Sequence, residues 1–355
     1  MSRNDRLAIL KAMSLLPTNR WLNRFVWLVA GATLFLICSG GMVTSKGVGL
    51  AVPDWPTTFG YNMFLFPVSQ WVGGIFFEHT HRLIASAVGF FTIILAIWLW
   101  RAESRLWLRI LGWVALGTVV LQGILGGLRV TMLKDEIGIF HACLAQAFLG
   151  LLVLIGLATS RSWMEGRAQQ MQLGTLWLPI ATTLLIYAQL GLGATMRHQH
   201  RDLAILDFPT AYGKVIPEVN TESLATINQW REARALSEVS AAHIWLQMIH
   251  RMVAVVITTG VIAYYFALRR HRADATLSTL STLWVLLVVC QITLGAWTIW
   301  SNKAADIATA HVAVGAIMLA FGISISALAL RLRAPDRFGA HEVRPSRMPE
   351  GAYAR

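Results

Sequence analysis

Charge is scarce in this chain. Only 14% of its 355 residues are Asp, Glu, Lys or Arg, against roughly 25% in an ordinary soluble domain. Hydrophobic residues make up 56%, and the mean hydropathy is +0.57. This composition excludes a water-soluble enzyme and points to an integral membrane protein. Acidic residues are rarer than basic ones, 18 against 30, for a net charge of +12. The basic excess lies in short loops and both tails, where membrane topology uses it, so it is not a nucleic-acid signal. Cysteine is nearly absent: Cys38, Cys143 and Cys290 are isolated within apolar runs and form no CxxC-like pair. A cleavable leader is not expected either, because MSRNDRLAILKAMSLLPTNR is weakly apolar and lacks a small-residue cleavage site.

What is abundant is long apolar sequence. Eight runs, each about 20 residues and so able to cross about 30 Å of hydrocarbon, can be drawn. They cover 25–44, 79–100, 107–128, 139–160, 174–195, 245–268, 279–300 and 308–331. The fifteen tryptophans suit an interfacial belt. Positive residues assign the sides. Arg20 and Arg24 precede the first span, Arg101 and Arg105 follow the second, Arg161 and Arg167 the fourth, and Arg269, Arg270 and Arg272 the sixth. The alternate loops carry fewer, such as Lys46, Arg129, Lys134 and Lys303. By the positive-inside rule both termini are cytoplasmic. The expected organisation is a tail (1–24), a four-helix half (25–160), a linker (161–173), a second four-helix half (174–331) and a C-terminal tail (332–355).

Four histidines carry the chemistry. His81 and His250 sit in THRLIA and IHRMVA; His141 and His311 sit in FHACLAQ and AHVAVGA. All four lie near the starts of even-numbered spans, and the separations within the pairs are 60 and 61 residues. They therefore belong towards the outer face. An imidazole facing an imidazole in a membrane bundle clamps a haem iron from both sides. Two such pairs predict two haem-sized sites side by side, with His81, His141, His250 and His311 as iron ligands.

The pairs belong to a duplicated unit. His81-Arg82 matches His250-Arg251 at an offset of 169, and LQGILGG matches CQITLGA at the same offset. GLAVPDWP matches DLAILDFP, aligning Asp54 with Asp207. Four spans per unit give both halves one orientation, a parallel repeat. The predicted fold is thus an all-α integral membrane protein of eight helices, as two parallel-repeat four-helix bundles. Asp54 and Asp207 read as turn caps, and Gln122 and Gln291 as interhelical hydrogen bonders. The glycines of GGLRV and GLGA read as sites of close helix packing. His79, His198, His200, His243, His271 and His341 lack repeat partners and read as non-ligands.

The halves differ in one respect. Glu78 stands three residues before His81 in EHTHR; Gln247 holds that place in QMIHR. Residues i and i+3 share a helix face, so a carboxylate projects beside only one histidine pair. An intramembrane acid is costly and marks function by default. One reactive half and one carrier half follow. Arg82 and Arg251, next to the ligands, suit bidentate contact with carboxylates, with snorkelling to the interface as the alternative.

At these residues the chain resembles the haem A synthase family, from about Gly40 to Leu330. The resemblance rests on EHTHR, the DWP and DFP loops, LQGILGGLRV, CQITLGAW, GATMRH and the four histidines together. It implies oxidation of the ring methyl of haem O to a formyl group, giving haem A. It implies haem b between His250 and His311, a haem O site bordered by His81, His141 and Arg82, and a catalytic Glu78. A possible propionate contact falls on Arg251. Implied partners are the bilayer, the haem O synthase and a haem-copper oxidase assembly pathway; no nucleic acid is expected. The implied location is a bacterial-type inner membrane. Many family members have paired outer-loop cysteines; this chain has none and resembles a cysteine-free branch. The rival readings are a bis-histidine diheme electron carrier, against which the Glu78/Gln247 asymmetry argues, and a porphyrin transporter, against which continuous spans and end-placed histidines argue.

Overall fold

The computed structural model describes residues 19–165, 173–199, 203–270 and 274–333. Residues 1–18, 166–172 and 334–355 lie outside these, as do His200, His271 and His341. A backbone crossing hydrocarbon must satisfy its own polar groups, and a helix does so within one segment. Eight long helices do this here: α1 (Arg20–Ser45), α2 (Gly73–Ala102), α3 (Leu106–Met132), α4 (Asp135–Ala158), α6 (Leu173–His198), α8 (Ala241–Arg270), α9 (Ala275–Trp300) and α10 (Ala305–Arg333). Each is long and apolar enough to cross a membrane. Two shorter helices, α5 (Arg161–Glu165) and α7 (Thr221–Glu232), join them. Among the described residues there is no strand, only isolated bridges at Thr58–Tyr61 and Ala211–Lys214.

All eight expected spans are helical, and six of them, the four that carry the histidines included, begin three to six residues earlier than hydropathy predicts. In two of them acids in the first turn conceal the start: Asp135 and Glu136 in α4, Asp306 in α10. Those acids suit the positive end of the helix dipole. His81 therefore lies eight residues after the start of α2, and His141 six after that of α4. At 1.5 Å per residue the histidines sit about 9–14 Å inside their helices.

Helix α1 packs on α2 and α4, and α3 also packs on α2 and α4. Helix α6 packs on α8 and α10, and α9 also packs on α8 and α10. Contacts of α10 with α1 and α4, and of α4 with α6, join the two sets. Helix α10 is the most buried span. One apolar core holds Tyr264 and Trp284, whose indole donates to the Met318 carbonyl at 3.0 Å. A second lies among Val26, Leu95, Leu99 and Leu152. Several exposed tryptophans occupy helix ends: Trp21, Trp100 and Trp177 at one side, Trp297 and Trp300 at the other.

The segment between α6 and α8 is not a plain loop. Asn220 caps α7 by accepting from the Ser223 amide at 2.8 Å, and Asn228 ties α7 to Val239 through both its amide groups. Beneath it Ala204, Ile205, Ala211, Val239, Ile244 and Met248 form a small core of their own.

Candidate functional site

The four histidines come from four different helices: His81 on α2, His141 on α4, His250 on α8 and His311 on α10. His81 lies within electrostatic reach of His141, and His250 within reach of His311. The structure thus brings together the two pairs that the spacing predicts. Each side chain is half-buried, and the Nδ1 atom of each is buried and makes no hydrogen bond. Among the described residues no group of three or more His, Cys, Asp or Glu converges.

Each ring rests against a glycine of a neighbouring helix. A Cβ on Gly40 of α1 would stand 2.8 Å from Cε1 of His81, and one on Gly295 of α9 would stand 3.1 Å from Cε1 of His311. Gly126 of α3 and Gly193 of α6 give 3.4 Å to His141 and 3.5 Å to His250. Glutamine amides support the histidine backbones: Gln122 donates to the His141 carbonyl at 3.1 Å and Gln189 to the His250 carbonyl at 2.7 Å. The Gln122 bond joins α3 to α4, as the sequence predicts. The role of Gln189 has no forewarning in the motifs.

Glu78 is 4% exposed. Its Oε2 accepts from the Val52 amide at 2.9 Å, and its Oε1 accepts from Arg82 at 2.8 Å. Arg82 also donates to the carbonyls of Asp54, Thr57 and Val52. Its two terminal nitrogens carry four N–H groups, and all four have acceptors. Arg82 therefore staples the 46–72 loop onto α2 one turn from Glu78. In the other half, Oε1 of Gln247 accepts from the Ile205 amide at 2.8 Å, and Nε2 returns a bond to the Ile205 carbonyl at 3.2 Å. Arg251 donates to the carbonyls of Asp207 and Thr210, leaving its Nε buried and unpaired.

Asp54 and Asp207 cap the two loop turns, accepting from Thr57, Phe59 and Gly60, and from Thr210, Tyr212 and Gly213. Burial raises the Asp54 carboxyl, but the bonds from Gly60, Thr57 and Phe59 outweigh it and hold the group below the usual carboxylate range. Asp207 is lowered by the same balance. His198 ends α6, buried against Gly138 of α4, and two other histidines serve the loops. His79, fully buried, meets the Thr58 hydroxyl at 3.2 Å and packs on Phe66 and Trp71. His243 accepts from the Ser240 amide. Cys38, Cys143 and Cys290 are free thiols.

Eight apolar helices with two pairs of half-buried, glycine-seated imidazoles define a multi-pass membrane protein with two paired-imidazole sites. The chain belongs to the cytochrome oxidase assembly protein family (COX15-CtaA), whose sequence profile matches residues 23–323. It is similar to a protein named heme A synthase from Geobacillus kaustophilus, 27% identical over 325 residues, covering 85% of this chain and 89% of the relative. Heme A synthases of Exiguobacterium sibiricum (27% over 305 residues; 82% and 90% covered) and Shouchella clausii (24% over 283 residues; 78% and 86% covered) are similar too.

Proposed function

We propose that this protein oxidises the ring methyl of haem O to a formyl group, yielding haem A. The change takes up one oxygen at the oxidation level of water and releases four protons and four electrons, so it needs an external electron acceptor. The observation that carries the reading is the asymmetry at one matched station: a buried acid, Glu78, beside the His81/His141 pair, and a neutral amide, Gln247, beside His250/His311. Family membership and the names of the relatives support it.

The reading treats the chain as a parallel duplication of four-helix halves, which the matched loop contacts and helix pairings support. The donor chemistry fits a porphyrin in each half. Two imidazoles from different helices, with no third side-chain donor among the described residues, suit an iron whose equatorial positions a macrocycle fills. Haem b between His250 and His311 would supply a one-electron relay. His81 and His141 hold haem O, and Arg82 keeps the covering loop in place. Glu78 faces the reacting edge, where a carboxylate takes a proton or steadies positive charge developing at the methyl. Arg251 keeps its unpaired Nε for a haem b carboxylate. The reading places both termini in the cytoplasm, the histidines in the outer half of a bacterial-type inner membrane, and the protein between a haem O synthase and a haem-copper oxidase assembly pathway.

Pigment analysis of membranes from cells that make haem O and express this protein tests it. Haem A is the expected new pigment. A stable haem b spectrum with no new porphyrin would replace the enzyme by an electron carrier. Cysteine labelling at Asp54 and Asp207 tests the topology: reaction from the outer side only is expected, and reaction from the cytoplasmic side only reverses it.

A further inference from the structure

Among the described residues, one cation near the first histidine pair has no hydrogen-bond or ion-pair partner. Arg129, in the last turn of α3, is half-buried and lies within electrostatic reach of both His81 and His141. Among the described residues its side chain makes no hydrogen bond and no ion pair. Glu78 and Asp135 are near enough for their charge to reach it, but Glu78 is paired with Arg82 instead. Arg82, the sequence's first candidate for an anion contact, has no terminal N–H to spare.

Arg129 is not a loose interfacial side chain. A Cβ on Gly49 would stand 3.0 Å from its Nη1, and one on Gly138 would stand 3.1 Å from its Nε. The guanidinium therefore lies between Gly49 of the outer loop and Gly138 of α4, and it shares the Gly138 face with the His198 ring, whose Nδ1 a Cβ there would meet at 2.6 Å. The other half has no counterpart. At the 169-residue offset stands Thr298, whose hydroxyl is turned back onto the Leu294 carbonyl at 2.8 Å. The arginine within reach of His311 is Arg197 of α6, and it is bonded to the Gly41 carbonyl and the Ser45 hydroxyl of α1. A guanidinium offers planar, forked donors that match a carboxylate. An unpaired one at the edge of hydrocarbon calls for an anion.

We propose that Arg129 is the carboxylate-binding side chain of the His81/His141 site, receiving a propionate of the porphyrin that enters there. This rests on the porphyrin reading of the site given above. Arg129 would set how the macrocycle is turned about the iron axis, and so which ring edge meets Glu78. The first site would then recognise its ligand through charge on one edge as well as through iron.

The test is a titration of the purified full-length protein with haem O and with haem O dimethyl ester, followed by absorbance. In the unaltered protein the free acid should bind about 10- to 100-fold more tightly than the ester, the range of one charge-assisted contact. Arg129→Gln should bind both forms equally, at the ester's affinity, and Arg129→Lys should restore part of the preference. The haem b spectrum of the other half serves as the fold control and should be unchanged. An acid-over-ester preference that persists in Arg129→Gln, or one absent from the unaltered protein, overturns the assignment. Conversion is not read in this titration. A protein that selects the acid through Arg129 yet makes no haem A would keep this assignment and lose the proposed reaction.

Discussion

The α-carbon of Gly40 lies so close to the imidazole of His81 that a methyl group placed on it would stand 2.8 Å from Cε1. Real Cβ contacts are essentially never that short, so the ring must move if Gly40 gains a side chain. The same construction at Gly126 gives 3.4 Å to His141, ordinary van der Waals contact. Gly40→Ala should displace His81 and weaken first-half porphyrin binding about tenfold or more, the effect of a 1.4 kcal/mol loss. Gly126→Ala should leave binding within about twofold. Absorbance titration with haem O measures both, and equal effects at the two positions would refute the graded seats.

Glu78→Gln should leave the fold and the second-half haem intact. Gln247 already accepts a loop amide at the matched station, and an amide at 78 can do the same for Val52. Haem O conversion should fall by about a hundredfold, the loss of about 3 kcal/mol of charge stabilisation. The haem A to haem O ratio in membranes at equal protein level is the readout. An unchanged ratio would reduce Glu78 to a partner for Arg82.

Replacing His250 or His311 by Ala should remove most of the low-spin haem b spectrum. The corresponding changes at His81 and His141 should spare it. The comparison needs only redox difference spectra of purified protein. A haem b spectrum that survives both second-half changes would reassign the ligands.

Asp54 lies outside the spans, and its carboxyl is held below its ordinary value of 3.8. A lowered native value favours the ordered turn at pH above the unfolded value. That contribution fades as the pH falls towards and through the native value. Hydrogen exchange at the Phe59 and Gly60 amides, corrected for intrinsic rates, should show protection constant from pH 7 to about pH 5, then declining as the pH drops below about 4. Asp54→Asn should lower protection at neutral pH and abolish the decline. A flat profile in both proteins would show that these bonds do not order the turn.

Apolar length and repeat spacing make the membrane helices and the histidine pairs legible in the sequence. Hydropathy erred at helix starts, because α4 and α10 open with acids that stabilise a helix terminus yet read as loop. It also passed over α7, whose polar residues are held by the Asn220 cap and the Asn228 clasp rather than by an apolar stripe. Of the glycine seats, the sequence singles out only Gly126 and Gly193, as sites of close helix packing. Nothing in a linear pattern says which ring a missing Cβ admits. Arg82 stands out in the sequence beside His81, but the sequence does not reveal that loop carbonyls and Glu78 fill its donors. Arg129 drew notice only as an outer-loop charge, since its lack of a partner exists only in three dimensions.

Glu78 and Gln247 secure their covering loops with the same kind of amide bond. A glutamate codon and a glutamine codon differ by a single base. At this station the loop accepts either side chain, so one nucleotide change adds or removes a buried negative charge without rebuilding the architecture around it. A gene encoding two such stations can vary the reactivity of one while the other keeps its role, and selection can act on the acid alone.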